Sequence, residues 1–458
     1  MANTYAYRTM DLSTDGGYTS RFVFSAWVKR TKLSYSMAPL FSLHKNNSNT
    51  ASRINCYFDN NDNILFKMKD SGGSDDSFYA TNKKFRDTNS WYHIYLAYNS
   101  TLSTAADRLQ IYVNGVRETS FSSANEVGSD FGALMSNSMD FRIGLMKEND
   151  GTAYYFDGLM NSAIFTNYQS GTVDPVTDFG EVDSTTGEWK IKVTPAVTYG
   201  TQGVFVLKNG NSLTDQSGQS NNMTVGGTLT KTEDNPSNVF ATMNPLDNFY
   251  AGSTFSNGNN SVNQPASKET YNTSTLGFAS LNSGKYYCEV KATDASDYTL
   301  IGIASRVSTG TSETLNSNGL GNGYAYDSQA GIIRTNGGVI SGWSGSTYTN
   351  GDIIGVAVDT DNLKLYFSKN GVWQNSANPS SGTGSAAITS TSASNTGVFL
   401  FAGGNRHNDN TLLDFNFGNG YFGTTAVSSA GSNASGNGIF EYDVPTGFTA
   451  LSTKGLNL

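Results

Sequence analysis

Cysteine is scarce in this chain of 458 residues, which contains only Cys56 and Cys288. The two lie in different predicted strands far apart in the sequence, so a disulfide framework is excluded. Free cysteines are among the most buried residue types in proteins. We therefore predict two buried free thiols and a chain that is made in a reducing cytosol.

Charged residues are also few, and basic residues are fewer than acidic ones. Lys and Arg number 29 against 38 Asp and Glu, which gives a net charge of −9. Non-specific binding to nucleic acid needs a basic surface, and docking on anionic lipid needs one as well. The composition therefore argues against both partners and favours a soluble protein with an acidic surface.

Long apolar runs are missing from the chain. None approaches the roughly 20 residues that span a bilayer, so no membrane insertion is expected. Residues 1–8, Met-Ala-Asn-Thr-Tyr-Ala-Tyr-Arg, lack the apolar core of a signal peptide. If the protein works outside a cell, we expect it to get there without a signal peptide of its own.

Groups that could form a zinc or hydrolase site are sparse. The three histidines, His44, His93 and His407, are far apart, and no His/Cys cluster has the spacing of a zinc site. No Ser-His-Asp or Cys-His arrangement can be argued, because no nucleophile lies on a recognisable elbow. We expect His93 to be a packed or edge residue of its strand.

Glucanases hydrolyse glycans with paired carboxylates that act as nucleophile and acid. Such enzymes place the carboxylates on one strand, commonly as Glu-x-Asp-x-x-Glu. The nearest match starts at Glu181 and Asp183, but Thr186 occupies the last position and Glu188 lies two residues too far along. The run is also predicted to be a turn, so we expect no enzyme activity from it.

Calcium is a candidate at two polar turns. Asp59, Asn61 and Asp62 resemble the start of an oxygen-ligand loop, but the turn glycine and the distal Glu of an EF-hand are missing. Asp359 and Asp361 are equally explained by turn chemistry. We therefore predict no bound metal or cofactor, with calcium as the alternative.

Gly, Ser, Asn and Thr are abundant. The segment with the strongest strand and turn signals is Gly351–Trp373. A β-branched run, 353–358, precedes a polar turn at 359–362. Then 363–368 alternates apolar and polar residues, which predicts a strand with one buried and one exposed face. Asn370-Gly371 supplies the positive φ angles of a type I′ hairpin turn.

A weaker copy of this pattern runs from Trp91 to Val116, again a strand, a loop, an alternating strand and Asn-Gly. Nowhere does a convincing 3.6-residue apolar period occur. Many short strands separated by turn residues indicate a sandwich or barrel. The prediction is an all-β protein of two tandem antiparallel β-sandwiches, each of the jelly-roll kind.

The first sandwich resembles the laminin-G-like, concanavalin A-like lectin domain. The resemblance covers roughly residues 8–170 and gives the first predicted domain, 1–170. Four segments in the family's order carry it: Phe24–Lys29, Trp91–Ile94, Leu109–Val116 and Phe156–Met160. Their order is fairly specific for the fold and does not specify a ligand.

The second sandwich, predicted over 249–425, resembles a SPRY domain, which is itself a concanavalin A-like sandwich. The strand Gly351–Asp359 and the segment Asp414–Gly418 carry this resemblance. Residues 171–248 are predicted to be a semi-ordered bridge that can add a strand to either neighbour. They resemble the connector between lectin-like and SPRY-like domains in virion proteins of marine bacteriophages.

The last segment, 426–458, begins as a Gly/Ser/Asn-rich linker over 426–438. Aromatic content then returns at Phe440. We predict a tail that docks on the body of the protein or on a neighbouring subunit.

A ligand-binding loop region is predicted between Tyr324 and Tyr348. Its candidate contact residues are Tyr326, Arg334, Trp343 and Tyr348, which lie among Gly, Ser and Asn. Rigid aromatic side chains lose little entropy on binding, which suits adhesive loops. The alternative is that Trp343 packs in the core.

The family resemblances imply a non-enzymatic bacteriophage virion surface protein, either a tail-fibre or adsorption component or a capsid decoration. Its expected partners are other virion proteins and a host surface glycan or protein, and it is expected in many copies or as a homo-oligomer. It would be made in the host cytoplasm and located on the virion surface. The alternative is a secreted bacterial carbohydrate-binding adhesin or module.

Overall fold

The computed structural model describes most of the chain. The described residues are 3–11, 20–45, 53–69, 75–129, 138–147, 151–168, 171–208, 210, 212–248, 252–266, 269–295, 298–305, 320–335, 338–389, 397–407 and 409–457.

Contacts divide the chain into two compact units, Met1–Lys231 (unit 1) and Thr232–Leu458 (unit 2). Both consist of β-strands, and the helices in the described ranges are short 3-10 turns at Ala105–Asp107, Val176–Asp178, Pro379–Ser381 and Gly455–Asn457. The predicted all-β class is confirmed. No helix within these ranges is long and apolar enough to cross a membrane.

Unit 1 is a sandwich of two antiparallel sheets. Its strands are β1 (Tyr5–Met10), β2 (Arg21–Arg30), β3 (Met37–Lys45), β4 (Arg53–Asp59), β5 (Asn63–Lys69), β6 (Asp75–Lys84), β7 (Trp91–Asn99), β8 (Leu109–Val113), β9 (Val116–Arg117), β10 (Phe121–Asn125), β11 (Met139–Ile143), β12 (Leu145–Lys147), β13 (Ala153–Tyr155), β14 (Gly158–Asn167), β15 (Gly180–Val182), β16 (Trp189–Ile191), β17 (Val204–Val206) and β18 (Thr224–Gly226). The eight-stranded sheet has the order β10-β6-β5-β4-β3-β11-β1-β18, and the six-stranded sheet has the order β17-β14-β2-β7-β8-β9. Two further hairpins, β12–β13 and β15–β16, complete the unit.

The core of unit 1 lies between these two sheets. Alternate residues of each strand point into it, as a period of two dictates; on β4 they are Ile54, Cys56 and Phe58. Phe24 on β2 stacks on Phe41 of β3, with ring centroids 4.2 Å apart. Facing side chains of this kind hold the six- and eight-stranded sheets together.

The outer face of the six-stranded sheet is apolar too. Val23, Tyr95 and Ile164 alternate with core residues along β2, β7 and β14, and all three are buried. Phe179 and Tyr199, from the segment after β14, pack on them. The segment therefore shields a second apolar face from water.

The predicted 171–248 bridge is divided between the two units. Residues up to 231 complete unit 1, because β17 pairs with β14 and β18 pairs with β1. Residues from 232 belong to unit 2. The backbone N–H of Met243 donates to the Asn259 carbonyl (3.0 Å), and Phe240 lies in a buried apolar cluster with Tyr287. The contacts thus divide the chain after Lys231, inside the segment that the sequence suggested was a separate bridge.

Unit 2 is also a two-sheet sandwich. Its strands are β19 (Thr254–Ser256), β20 (Ser261–Gln264), β21 (Thr270–Ala279), β22 (Lys285–Asp294), β23 (Thr299–Ala304), β24 (Tyr324–Asp327), β25 (Ile333–Thr335), β26 (Gly338–Val339), β27 (Ile353–Asp359), β28 (Lys364–Lys369), β29 (Val372–Trp373), β30 (Ala386–Ala387), β31 (Val398–Asn405), β32 (Thr411–Asn416), β33 (Tyr421–Phe422), β34 (Thr425–Ala426) and β35 (Thr449–Ala450). The larger sheet runs β19-β20-β32-β22-β27-β28-β29, with β30 beside β28 and β35 beside β22. The six-stranded sheet runs β21-β31-β23-β24-β25-β26.

The Asn-Gly turns have the predicted geometry. Asn370 and Gly371 have φ angles of 48° and 80°, and Asn114 and Gly115 have 49° and 77°. Positive φ at both central residues is the mark of a type I′ turn. The hairpins β28–β29 and β8–β9 therefore form where the sequence predicts them.

The alternation along β28 has a different outcome from the one predicted. Leu365 and Phe367 point into the core between the sheets, as expected. Tyr366, predicted to lie on the exposed face, is fully buried on the other side of the sheet. Its cover is the C-terminal tail, where Phe440 and Phe448 join it in an apolar cluster.

The tail is thus an integral layer of unit 2. Thr449 and Ala450 form β35, which pairs in parallel with Tyr286 and Tyr287 of β22. Leu451 is buried in the core between the sheets. Residues 440–451 of the tail therefore dock on the body of unit 2, as predicted.

Both cysteines are free and buried, as predicted. Burial raises the pKa of the Cys56 thiol to about 12, and burial likewise raises that of Cys288. Thiols with such high pKa values are almost wholly protonated near neutral pH, and the thiolate is the reactive form. Both residues therefore act as small apolar core groups.

Glu289, on β22, anchors the tail. Its carboxylate accepts hydrogen bonds from the backbone N–H groups of Glu441 and Tyr442, both at 2.8 Å. The Tyr287 hydroxyl (3.1 Å) and the Asn416 amide (3.4 Å) also donate to it. Burial raises the pKa of Glu289 to about 7, because desolvation of the charge outweighs these four donors.

This geometry predicts a pH-dependent stability. The folded state binds the Glu289 proton more tightly than the unfolded state, where the pKa is near 4.5. The stabilisation is complete below pH 4.5 and is lost as the pH rises through 7. Relative to Glu289→Gln, the wild-type free energy of unfolding should fall by on the order of 3 kcal/mol across this window.

The measurement is urea unfolding of both proteins at a series of pH values from 4.5 to 8. Glu126→Gln, which alters an exposed carboxylate, is the control and should follow the wild-type pH profile. Parallel pH profiles for wild type and Glu289→Gln would contradict the assignment.

Candidate ligand-binding face

Three of the four residues predicted to contact a ligand lie in the core of unit 2. Tyr326, Trp343 and Tyr348 are each at most 5% exposed. The Tyr326 ring lies 5.3 Å from Trp343 and 5.1 Å from Tyr348. The Tyr326 hydroxyl donates to the Ser346 carbonyl, and the Tyr348 hydroxyl lies 2.9 Å from the Thr299 carbonyl. The alternative of a packed Trp343 is what the structure has, and these three are not surface contacts.

The fourth residue, Arg334, lies beside a buried carboxylate. Its Nε donates to Asp327, which also accepts from Arg406 Nε at 2.8 Å. The other Asp327 oxygen accepts from the backbone of Gln329 at 2.9 Å. Arg334 therefore holds the loop after β24, a structural task that differs from the predicted adhesive one.

The polar turns proposed for calcium are occupied by protein groups. Asp62 is buried and forms ion pairs with Arg30 (3.1 Å) and Arg86 (2.9 Å). Asp359 pairs with Lys285 at 3.0 Å and accepts from Asn362 at 2.9 Å. The described residues contain no group of three or more His, Cys, Asp or Glu arranged to hold a metal ion.

The carboxylates nearest to a glucanase pattern are on the surface. Glu181 lies in strand β15 rather than in the predicted turn, and Asp183 follows in the turn of the β15–β16 hairpin. The backbone N–H groups of Thr186 and Thr185, with Lys190, hold the pKa of Asp183 at about 2. A glycosidase needs one carboxyl group with a raised pKa to donate a proton, and Asp183 has the opposite shift.

His93 lies on β7, buried beneath the β15–β16 hairpin. Trp189 Nε1 donates to its Nδ1 at 2.9 Å, and its Nε2 lies 2.8 Å from Ser25 Oγ. Burial lowers the pKa of His93 to about 3, so the ring is neutral. Because an indole N–H can only donate, Nδ1 is the bare nitrogen and Nε2 carries the proton. His93 therefore donates to Ser25 and cannot act as its base.

The other two histidines also contact neighbouring side chains. His44 Nε2 lies 2.8 Å from Asn55 Oδ1, and burial lowers the His44 pKa to about 4. His407 stacks on Tyr298, with ring centroids 4.6 Å apart.

A cluster of partly exposed aromatic rings lies on the outer face of the eight-stranded sheet. Ala6 and Met10 on β1 point into the core, so Tyr5, Tyr7 and Thr9 point outward. The Tyr5 ring lies 5.6 Å from Tyr7 and 6.1 Å from Tyr155 of β13. We call Tyr7, Tyr5 and Tyr155 the tyrosine row.

Polar groups lie beside the tyrosine row on β11. Tyr7 pairs in register with Arg142, and Thr9 pairs with Asp140. Arg142 donates to Asp140 at 2.9 Å, and the Thr9 hydroxyl donates to the other Asp140 oxygen at 3.1 Å. Thr9 is exposed, and the Asp140 side chain is 27% exposed.

This arrangement is suited to holding a sugar. Aromatic rings offer large, rigid and amphipathic contact area at a low cost in entropy. A few fixed polar groups next to such rings give orientation and specificity. No residue of this face was predicted from the sequence, although the alternation Tyr5-Ala6-Tyr7-Arg8-Thr9-Met10 contains the signal.

Residues 3–169 match the family model of the concanavalin A-like lectin/glucanases superfamily. The predicted laminin-G-like, concanavalin A-like sandwich is thereby confirmed for unit 1, and the tyrosine row lies within the matched residues. No curated protein sequence matches the chain.

Several solved structures align with parts or all of the chain at low identity and low TM-score. The SPRY domain of human HERC1 is 15% identical with a TM-score of 0.29, over 38% of this chain and 96% of that domain. The CBM40 of the Ruminococcus gnavus IT-sialidase, bound to α2,3 sialyllactose, is 12% identical (TM-score 0.27; 36% and 88% covered). Domains LG4-5 of the mouse laminin α1 chain are 7% identical (TM-score 0.28; 99% and 88% covered).

The cover over His93 gives a prediction for unit 1. A Cβ on Gly180 would lie 2.5 Å from the Trp189 ring, so Gly180→Ala must displace the Trp189 ring that packs on His93. We expect a loss of roughly 1–3 kcal/mol, the usual cost of overpacking, in thermal unfolding followed by tryptophan fluorescence. Gly128→Ala is the control, since its Cβ meets nothing within 4 Å. Equal stability of the two variants would show that the contact is dispensable.

Proposed function

We propose that this protein is a non-enzymatic, lectin-like glycan-binding protein that is carried on the surface of a bacteriophage particle. The observation that carries the binding function is the tyrosine row beside the exposed Thr9 and the partly exposed Asp140, whose carboxylate accepts a hydrogen bond from the buried Arg142. The match of residues 3–169 to the lectin/glucanase superfamily supports it.

Binding rather than hydrolysis fits the state of the candidate catalytic groups. With a pKa of about 2, Asp183 is ionised at neutral pH and cannot donate a proton to a leaving sugar. Glu181 is about half exposed and lies 3.4 Å from Lys190. Glycan binding without turnover is the expected behaviour.

The location on a virion is the finer part of the proposal. It is supported by the resemblance of residues 171–248 to connectors in virion proteins of marine bacteriophages. The protein would be made in the host cytoplasm, assembled with other virion proteins in several copies, and used to contact a host surface glycan. The second candidate is a secreted bacterial carbohydrate-binding module, which the same tyrosine row would serve.

Glycan binding is tested with the whole chain on an array of bacterial and algal polysaccharides. Tyr7→Ala removes a ring that is 38% exposed, and should weaken binding about tenfold, or roughly 1.4 kcal/mol. Tyr7→Phe should retain most of the affinity, because stacking needs the ring and not the hydroxyl.

Tyr421→Ala, which removes a partly buried tyrosine from unit 2, is the control and should bind like wild type. If Tyr7→Ala also binds like wild type, the tyrosine row is not the site. Release of shortened glycan products during incubation would point to an enzyme instead.

The virion part is tested by mass spectrometry of purified phage particles, together with imaging after labelling with an antibody to this chain. We expect the chain in the particles, and the label on the tail or on the head separates a fibre from a decoration protein. Detection of the chain in the medium or on cell envelopes, but not on particles, would favour the secreted module.

A further inference from the structure

The geometry points to a more specific ligand class: an internal stretch of a linear glycan, in which at least three consecutive sugar units lie along the tyrosine row. This inference rests on the proposed glycan-binding function and adds the part of the glycan that is recognised.

The spacing of the rings carries the argument. Tyr5 is in contact with both other rings, with centroid distances of 5.6 Å to Tyr7 and 6.1 Å to Tyr155. These distances are close to the length of one sugar unit in a glycan chain. Each ring can therefore meet a different sugar, and one sugar cannot cover all three.

The Tyr5 ring is inclined to both neighbouring rings. The Tyr5 plane is tilted by 39° from Tyr7 and by 45° from Tyr155. Neighbouring sugars in a linear glycan are likewise rotated about their linkages. A row of tilted rings can therefore follow successive sugars.

The row is held in place before any ligand arrives. Tyr5 and Tyr7 lie on β1, which is paired with β11 on one side and β18 on the other. Tyr155 pairs with Leu145 in the β12–β13 hairpin. A Cβ on Gly226 would lie 2.3 Å from the Tyr5 ring, so this glycine lets the ring lie against the backbone of β18. Such preorganisation lowers the entropic cost of binding.

Among the described residues, the Tyr7 end of the row is open. Tyr7 and Thr9 are exposed, and so is Thr224 of the neighbouring strand β18. Recognition of a terminal sugar needs a concave site that encloses most of its surface. At an open end, a glycan chain can continue beyond the last ring that it contacts.

The test is calorimetric titration of the whole chain with cello-, xylo-, chito- and alginate oligosaccharides of one to six units, and with the parent polysaccharides. For the series that binds, the dissociation constant should fall at least tenfold between one and three units and then change little. Capping the non-reducing end of a hexasaccharide should leave its affinity unchanged.

Tyr155→Ala should remove the gain in affinity between two and three units. Tyr155→Phe is the matched control and should keep the full length dependence. Because the wild-type series is informative without any variant, a poorly folded variant does not decide the outcome.

The outcomes separate this inference from the proposed function. Equal affinity for one and six units, or loss of binding on capping, would overturn the internal-stretch assignment while leaving glycan binding intact. Absence of binding to every oligosaccharide and polysaccharide, on the array as well as by calorimetry, would overturn both.

Discussion

A sheet that is apolar on both faces must be covered on both, and each unit of this protein contains one. In unit 1 the residues of β2 and β7 alternate between two buried clusters, one between the sheets and one beneath residues 173–199. In unit 2, Tyr287 and Tyr366 face away from the core and are buried beneath the tail. Burial of large aromatic side chains on this scale is worth several kcal/mol for each face. The covering segments are therefore part of the folding unit.

The strands and hairpins were predictable because their signals are local. The strand Lys364–Lys369 and the Asn370-Gly371 turn depend on signals from neighbouring residues alone, and both form where the sequence predicts them. The predicted exposed face of that strand is the exception, because Tyr366 is buried. The covers were not predictable in the same way. Residues 426–438 consist mostly of Gly, Ser and Asn. Each covering segment contributes only a few buried aromatic side chains, such as Phe179 in unit 1 and Phe440 in unit 2. What these side chains contact is decided by distant strands, which is why a bridge and a linker were expected there.

The candidate site shows the same division between local and distant information. Tyr326 and Trp343 lie in a polar, Gly-rich part of the sequence, which is why they were predicted to be exposed. Tyr326 is buried because of the sheet face it occupies, which depends on the pairing of β24 with β23 and β25. Trp343, in the loop before β27, is buried against the Tyr326 ring. Tyr5 and Tyr7, by contrast, are partly or fully exposed, because they alternate with the core residues Ala6 and Met10. Their strand is paired with β11 and β18, which lie more than 130 residues away in the chain.

The position of β35 has a consequence for the order of events during synthesis. Unit 1 has all its strands once residue 226 has left the ribosome, so it can close while later residues are still being made. Unit 2 must wait, because the outer face of β22 and β28 stays bare until residues 440–450 emerge. For that interval Tyr287 and Tyr366 are open to water and to other chains. Unit 2 is therefore the part of the nascent protein that most needs protection by a chaperone.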